Sequence, residues 1–389
     1  MRRIQNSIPA VTIMSLFTVT GMSSAADVDA VENWAKDVWS HAVLYENENN
    51  PILQKFAFTG RAQFDYVVID GEGTTAGGPG RDLSYDNFNT RRLRAGFKAG
   101  LFQDFTLHVE ADFDPDEDPF YRRLTDANLA WKPSDAFELK IGKQGMGFTL
   151  DGKTSSKELL TIDRSALSGN LWFSNEYIPG ITVSGELGNW HYSTGFFSQG
   201  EQDNEFGEFN SGTSWVGTIG YDLSDMTGAD TAVVAFDYVI NEENPSSPAL
   251  FTNRSFGQIA SLNTIWEKDQ YGFRGDVSFG DGFLGQPDVW GLVLMPYYDI
   301  TDRLQLVARY TFLKSDGNDG VRYNGYDSIV VNGRRGDQYQ EGYLGFNYYL
   351  YEHKIKLQTG LQYISMRDQA NNGGAFDGFN LTTGIRFSW

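Results

Sequence analysis

From residue 55 to the end of the chain, apolar and polar side chains alternate in a series of short segments. In the first segment, Phe56, Phe58 and Phe64 alternate with Arg61 and Asp65. An alternation of period two is typical of a β-strand whose two faces lie in different environments. The pattern predicts sixteen strands, at residues 55–68, 89–101, 104–114, 121–132, 136–146, 180–188, 190–198, 213–222, 230–241, 255–267, 270–280, 287–298, 303–314, 337–350, 353–367 and 377–389.

The links between these strands alternate between long and short. Seven short turns separate eight long links, which cover residues 70–88, 114–120, 147–179, 199–212, 242–254, 281–286, 315–336 and 368–376. Up-and-down strands with both ends of the barrel at one rim need this arrangement, whereas the Greek-key crossovers of a soluble sandwich would break it. We therefore predict an all-β fold, a 16-stranded antiparallel up-and-down transmembrane β-barrel.

The last segment has the strongest contrast between its faces. Phe387 and Trp389 lie on an apolar face that alternates with Arg386 and Ser388. A strand of this kind suits a wall between lipid and water, and it resembles the last strand of bacterial outer-membrane barrels. We interpret Trp389 and Phe387 as a signal for the barrel assembly machinery. The alternative for these residues alone is an ordinary amphipathic strand.

The beginning of the chain predicts export. Arg2 and Arg3 precede a mostly apolar stretch at residues 8–19, and small residues at 23–26 offer a cleavage site. These are the parts of a secretory signal peptide. We divide the chain into a signal peptide (1–26), a periplasmic N-terminal segment with a short helix (27–54) and the barrel (55–389).

Charge and composition narrow the function. The chain has 31 basic and 51 acidic residues, a net charge of −20, which becomes −22 once Arg2 and Arg3 are removed (29 against 51). This acidity argues against nucleic acid as a partner. Cysteine is absent and the four histidines have no metal-ligand spacing. We therefore expect no cofactor, no metal and no catalytic site; an enzyme built from scattered Ser, His and Asp residues is the rival interpretation.

Four stretches resemble the phosphate-selective porin O/P family of outer-membrane porins. They are NPILQKFAFTGRAQFDY (50–66), IGKQGMGFTLDGKTSSKELLTIDRS (141–165), IPGITVSGELGNWHYSTGFF (178–197) and DITDRLQLVARY (299–310). The resemblance covers residues 50–389. It implies a homotrimer in outer-membrane lipid, with the third external loop folded into the lumen and small ions or solutes as cargo.

The alternation also predicts which charged residues face the lumen. We expect a basic wall, opposed by an acidic wall, so that a transverse field crosses the pore. The basic wall comprises Arg61, Arg92, Arg94, Lys98, Lys354, Lys356, Arg386 and Arg309. The acidic wall comprises Glu110, Asp112, Asp126, Glu138 and Glu186. A slip of one residue in the register would invert the contribution of a strand.

The longest link, 147–179, is the candidate constriction. Ser155 and Glu158 have the spacing of a capping box, which predicts a helix to Arg164. Lys157 and Arg164, joined by Lys153, would then face the lumen. The alternative is an external cap whose charges are solvated.

We predict a porin for passive diffusion of small hydrophilic solutes and ions. An anion channel selective for phosphate or polyphosphate is an alternative, but the acidic external links weaken it because negative mouths repel anions. These links contain Asp114, Asp116, Glu117, Asp118, Glu201, Asp203, Glu205, Glu208, Glu242 and Glu243. A structural protein tethered to the cell wall by residues 27–54 is the rival from another class.

Overall fold

The computed structural model describes residues 25–78, 80–171, 177–198, 205–206, 212–242 and 255–389. Most of the predicted signal peptide and Glu201, Asp203, Glu208 and Glu243 lie outside these residues. The chain divides into two compact units, one ending at His41 and the other spanning Ala42–Trp389. The first contains helix α1 (Ala25–Ser40), in which Lys36 pairs with Glu32 at 2.6 Å. No helix in the described part is long and apolar enough to cross a membrane.

The second unit is a closed antiparallel barrel of sixteen strands, as predicted. A short additional strand, β1 (Val43–Glu46), pairs with the start of the first barrel strand. The barrel strands are β2 (Leu53–Thr74), β3 (Gly80–Leu101), β4 (Phe105–Phe113), β5 (Tyr121–Ser134), β6 (Phe137–Gly145), β7 (Tyr177–Leu187), β8 (Trp190–Ser198), β9 (Thr213–Asp222), β10 (Thr231–Asn241), β11 (Phe256–Lys268), β12 (Tyr271–Gly282), β13 (Val289–Thr301), β14 (Leu304–Ser315), β17 (Gln338–Tyr351), β18 (Ile355–Arg367) and β19 (Phe376–Ser388).

The barrel closes where its last strand meets its first. β19 pairs with β2 along its whole length, from Phe376 opposite Gly73 to Ser388 opposite Arg61. Each other strand pairs with its neighbours in the chain, including β9 with β10. Closure gives the main-chain polar groups of every barrel strand a partner, which a wall surrounded by lipid requires.

The predicted alternation of faces is present in the strands. On β18, Leu361 and Tyr363 point outward and are each 46 % exposed, whereas Gln358 and Gln362 point inward and are buried. The outer face is therefore apolar and the interior is polar. This is the distribution of a barrel that separates lipid from water.

The first hairpin is longer than predicted. The prediction of a long link at residues 70–88 is wrong, because β2 and β3 continue their pairing to Thr74 opposite Gly80. Leu83 and Tyr85 explain the extension, since both pack against the apolar cluster inside the barrel. The sequence shows their alternation only weakly because Asn87 and Asn89 continue the same face with polar side chains.

We predict that Gly60→Ala destabilises the barrel, whereas Gly342→Ala does not. A Cβ atom at Gly60 would meet the Arg94 carbonyl oxygen at 2.4 Å and the Trp389 ring at 2.6 Å, but a Cβ atom at Gly342 meets nothing within 4 Å. Overpacking of this kind costs about 1–3 kcal/mol. The urea midpoint of each variant, folded in lipid vesicles and followed by tryptophan fluorescence, measures the effect. Equal midpoints for the two variants would contradict this packing.

Candidate functional site

A segment between β6 and β7 turns into the barrel. We call residues 146–171 the inner loop; it contains the short helices α2 (Leu150–Lys153) and α3 (Ala166–Leu171). Its apolar side chains, including Phe148 and Leu167, are buried in one cluster with inward-facing side chains of β11–β14, such as Ile259 and Val293. This packing seals one side of the loop to the wall.

The helix predicted from Ser155 to Arg164 is wrong. The Ser155 carbonyl accepts a hydrogen bond from the Glu158 main-chain N–H at 2.8 Å, but the turn does not continue. A helix that ends at Arg164 would need the carbonyls of Leu159 and Leu160 for its own hydrogen bonds. Side chains of the barrel wall bind these two carbonyls, and those of Ile162 and Asp163, instead.

Five inward-facing side chains, which we call the wall donors, make these contacts. They are Arg309, Asn347, Lys356, Gln358 and Arg386, and all are at most 3 % exposed. Lys356 Nζ and Gln358 Nε2 donate to the Leu159 carbonyl at 2.8 and 3.1 Å. Asn347 Nδ2 donates to the Leu160 carbonyl at 2.8 Å.

The two wall arginines extend the same series. Arg386 donates to the Ile162 carbonyl at 3.4 Å, and Arg309 donates to the Asp163 carbonyl at 2.8 Å. Arg309 also donates to Thr161 Oγ1 at 2.7 Å. Consequently Arg309, Lys356 and Arg386, predicted to line the pore, lie beneath the inner loop.

The beginning of the inner loop is bound by carboxylates, whereas cations and amides bind its later carbonyls. The Thr149 N–H donates to Asp237 at 3.0 Å, and the Leu150 N–H donates to Asp276 at 2.7 Å. Lys153 Nζ lies 2.8 Å from Asp237. Carboxylates thus bind the N–H groups of the loop, and cations or amides bind its carbonyls.

The predicted opposition of a basic and an acidic wall is wrong for the strands β2–β4. Arg61 pairs with Glu110 at 3.0 Å, and Arg94 pairs with Asp112 at 3.3 Å. These three strands are consecutive in the barrel, so Arg94 on β3 meets Asp112 on β4, and Arg61 on β2 reaches across β3 to Glu110. All four residues are buried, and each pair is largely neutral as a unit.

The other predicted wall residues divide into covered and accessible groups. Arg92 is buried and donates to Gln63 Oε1 at 2.8 Å, whereas Lys98 is exposed. Lys354 lies in the β17–β18 turn, where its Nζ contacts the Tyr351 hydroxyl at 3.2 Å.

Three predicted acidic residues lie beside basic groups. Asp126 is 3.4 Å from His108 Nδ1, and Glu138 is 3.2 Å from Lys140 Nζ. Glu186 is 65 % exposed in its side chain and lies 3.8 Å from His191.

The predicted loop cations have different surroundings. Arg164, predicted to face the lumen, stabilises the inner loop: it donates to the carbonyls of Asp151 and Thr154 at 2.7 and 2.9 Å. Lys157 Nζ donates to the main-chain oxygen of Trp389 at 2.9 Å. Burial and the neighbouring charge of Arg61 lower the pKa of Lys157 to about 8.

Arg91 is an interior residue that the alternation does not predict. A β-bulge places Gln63 opposite Arg92 and Phe64 opposite Thr90, so the extra residue Arg91 turns inward and pairs with Asp163 at 2.7 Å. Burial favours the neutral acid, but Arg91 and Arg92 hold the pKa of Asp163 below its usual range. The sequence did contain a signal for this bulge: strict alternation would put Arg91 on the lipid face, where an arginine costs about 2–4 kcal/mol.

The link between β14 and β17, residues 316–337, also turns inward, which the sequence did not indicate. It contains strands β15 (Val321–Arg322) and β16 (Arg335–Gly336) and helix α5 (Asp327–Val330); α4 (Ser224–Thr227) lies in another turn. Tyr326 donates to Asp65 at 3.0 Å, and Asn380 donates to Asp327 at 2.7 Å. Asn324 donates to the Arg164 carbonyl at 2.8 Å, which joins this link to the inner loop.

Together the two inward segments cover one side of the interior. Inward-facing Asn347, Gln358 and Thr382 on β17–β19 are at most 2 % exposed. On β6 and β7, by contrast, the side chains of Lys140 and Glu186 are 36 % and 65 % exposed. Among the described residues, the accessible polar surface of the interior therefore lies along β3–β8 near their short turns, from Lys98 to Glu186, whereas Glu110 and Asp112 farther along β4 are buried.

Solved structures with the same fold come from outer membranes. The anion-selective porin from Comamonas acidovorans is 12 % identical, with a TM-score of 0.58 over 86 % of this chain and 99 % of that one. The outer membrane channel DcaP of Acinetobacter baumannii is 14 % identical, with a TM-score of 0.55 over 86 % and 97 %. The trimer form of OmpT of Vibrio cholerae is 14 % identical, with a TM-score of 0.51 over 86 % and 99 %. At these identities the likeness shows the fold.

The fold and the polar interior define a barrel of the porin class. The family model described as phosphate-selective porin O and P matches residues 56–222, and the predicted resemblance is confirmed over that segment. No curated protein matches the chain significantly. Family and fold point to a channel rather than to an enzyme.

We predict that Glu110→Gln destabilises the barrel strongly, because it leaves Arg61 buried beside a neutral amide. Breaking one partner of a buried ion pair costs about 3–5 kcal/mol. The exposed pair of Lys132 and Asp135, 2.9 Å apart, is the control, and Asp135→Asn should leave the urea midpoint unchanged. A Glu110→Gln midpoint equal to that of the control would show that the Arg61–Glu110 contact contributes nothing.

Proposed function

We propose that this protein is an outer-membrane porin through which small hydrophilic solutes and ions diffuse passively. The observation that carries the proposal is the contrast in exposure between the covered wall at β17–β19 and the accessible polar wall at β3–β8. A continuous polar surface inside a barrel supports a water-filled path. Export by the signal peptide at residues 1–26 and residence in the outer membrane belong to the same proposal.

The accessible charges support weak rather than strong selectivity. Lys98 and Lys140 lie on the accessible side of the interior, and so do Glu138 and Glu186. Charges of both signs along one path oppose each other's effect on permeating ions. The buried pairs of Arg61 and Arg94 contribute little further field, because each is compensated at close range.

A second candidate is an anion-selective channel, with phosphate as one substrate. Its support is local: the positive charges of Arg61 and Lys98 act on the Lys157 ammonium and help to lower its pKa. Because Glu110 compensates Arg61, the cations that would attract an anion at this point are Lys98 and Lys157.

We propose that the barrel assembles as a homotrimer in outer-membrane lipid. Supporting this are the exposed apolar outer face and the trimer form recorded for the OmpT structure. The apolar Phe387 and Trp389 remain the candidate signal for the barrel assembly machinery. No chemical step is assigned to the protein.

The rival from another class is a tether formed by residues 27–54. Deleting residues 27–50 from the full chain, which leaves strand β2 intact, distinguishes the two functions. A porin keeps its conductance after the deletion, whereas a tether loses its hold on the cell wall and the envelope becomes fragile.

We predict that Lys98→Glu shifts the zero-current potential in a KCl gradient toward cations, and that Glu186→Lys shifts it toward anions. Each change reverses a charge on the accessible side of the interior, where permeating ions pass. Asp70→Lys, which alters an exposed position on the outer face of β2, is the control. Planar-bilayer recordings of the purified protein measure the potentials. Unchanged potentials in both lumen variants would contradict the proposed path.

We predict that raising the pH from about 7 to about 9.5 moves the same potential toward cations, because Lys157 is charged below its folded-state pKa and neutral above it. The pKa of Lys157, about 8, lies inside this window. Lys157→Arg keeps the charge throughout and should remove the shift attributable to this residue. An undiminished shift in the arginine variant would assign the titration to another group.

A further inference from the structure

We infer that the wall donors Arg309, Asn347, Lys356, Gln358 and Arg386 are positioning residues that set the width of the water path by holding the inner loop, and that they do not select ions. The inference rests on the proposed porin function and deepens it. Three of the wall donors, Arg309, Lys356 and Arg386, are cations that the alternation predicts to line the pore, and the inference is that they hold the inner loop instead. It also names the residues that determine how far the inner loop stands from the wall.

The first argument is the hydrogen bonding of the inner loop. In the described residues, no main-chain N–H group donates to the carbonyls of Leu159, Leu160, Ile162 or Asp163. These residues lie outside helices and strands, and Leu159, Leu160 and Ile162 are buried. A buried carbonyl without a donor is costly. The wall donors therefore provide the hydrogen bonds that keep this stretch in place.

The second argument is the compensation of charge. Arg309 pairs with Glu341 at 2.8 Å, and Arg386 pairs with Asp65 at 2.5 Å. Each pair is buried beneath the loop, so it presents little net charge to a permeating ion. Asn347 and Gln358 carry no charge but make the same kind of contact.

Lys356 is the most informative member. Its side chain is fully buried, and its Nζ contacts the Leu159 carbonyl at 2.8 Å and His353 Nδ1 at 3.2 Å. It has no carboxylate within 4.0 Å among the described residues. A lysine in this position is held by the loop backbone rather than by an opposite charge. It donates to the loop and is screened from the path by it.

The third argument is the direction in which the loop can move. Its beginning is fixed to Asp237 and Asp276, and Ser156 is held by Gln63, whose Nε2 donates to the Ser156 carbonyl at 2.9 Å. Losing the wall donors therefore weakens the attachment of the stretch after Ser156, residues 157–163, to β14 and β17–β19, while Lys157 and Asp163 at its ends keep their contacts with Trp389 and Arg91. The middle of the stretch can then move away from that wall, toward the accessible side at β3–β8.

The test compares single-channel conductance with the zero-current potential in the full-length protein. Lys356→Met removes the donor and the charge but keeps the apolar stem, and Gln358→Leu removes a donor without changing any charge. Gln362→Leu is the matched control, because Gln362 lies on the same face of β18 but donates to Glu341 rather than to the loop. Heat-dependent gel mobility first establishes that each barrel is folded.

We expect Lys356→Met and Gln358→Leu to change the conductance by at least about 1.5-fold and to increase open-channel noise, with the zero-current potential unchanged. Gln362→Leu should alter neither quantity. A shifted potential at unchanged conductance in Lys356→Met would overturn the inference and make Lys356 an ion-facing charge. Wild-type conductance and noise in Gln358→Leu would overturn it as well. Failure of the porin function itself is distinguishable, since the wild-type protein would then form no channel.

Discussion

The structure depends on one constraint: every main-chain carbonyl buried inside the barrel needs a hydrogen-bond donor, including the carbonyls of the inner loop, which has no neighbouring strand to supply one. The barrel strands satisfy their own carbonyls by closure from β19 to β2. The inner loop has no such neighbour, and Lys356, Gln358 and Asn347 supply the missing donors. Where those donors stand therefore decides where the loop lies. The position of the loop in turn decides which side of the interior stays open to water.

This constraint changes how the basic residues of the interior are interpreted. An arginine facing a lumen suggests a site for anions, yet Arg61, Arg94, Arg309 and Arg386 all lie in pairs with carboxylates. Guanidinium groups suit this task because they offer several donors in a fixed geometry. The number of inward-facing cations is consequently a poor measure of selectivity. The relevant charges are those that the loops leave accessible.

The sequence was sufficient to predict the strands and their faces, because both follow from a period of two. It did not reveal which inward-facing residues the inner loop covers. This depends on contacts between residues that are far apart in the sequence, such as Leu159 and Lys356. The bulge at Arg91 escaped the alternation because one extra residue inverts the face locally. The capping box at Ser155 was present, but the barrel wall competes for the carbonyls that a helix needs.

Cysteine accessibility tests the central claim most directly, and the chain contains no cysteine of its own. Single cysteines would replace Ser193, on the accessible inward face of β8, and Thr382, on the covered inward face of β19. A charged methanethiosulfonate reagent is then added during bilayer recording. The account predicts rapid modification and reduced current for Ser193→Cys, with no effect on Thr382→Cys. Modification of Thr382→Cys with Ser193→Cys protected would place the water path on the opposite wall and contradict the account.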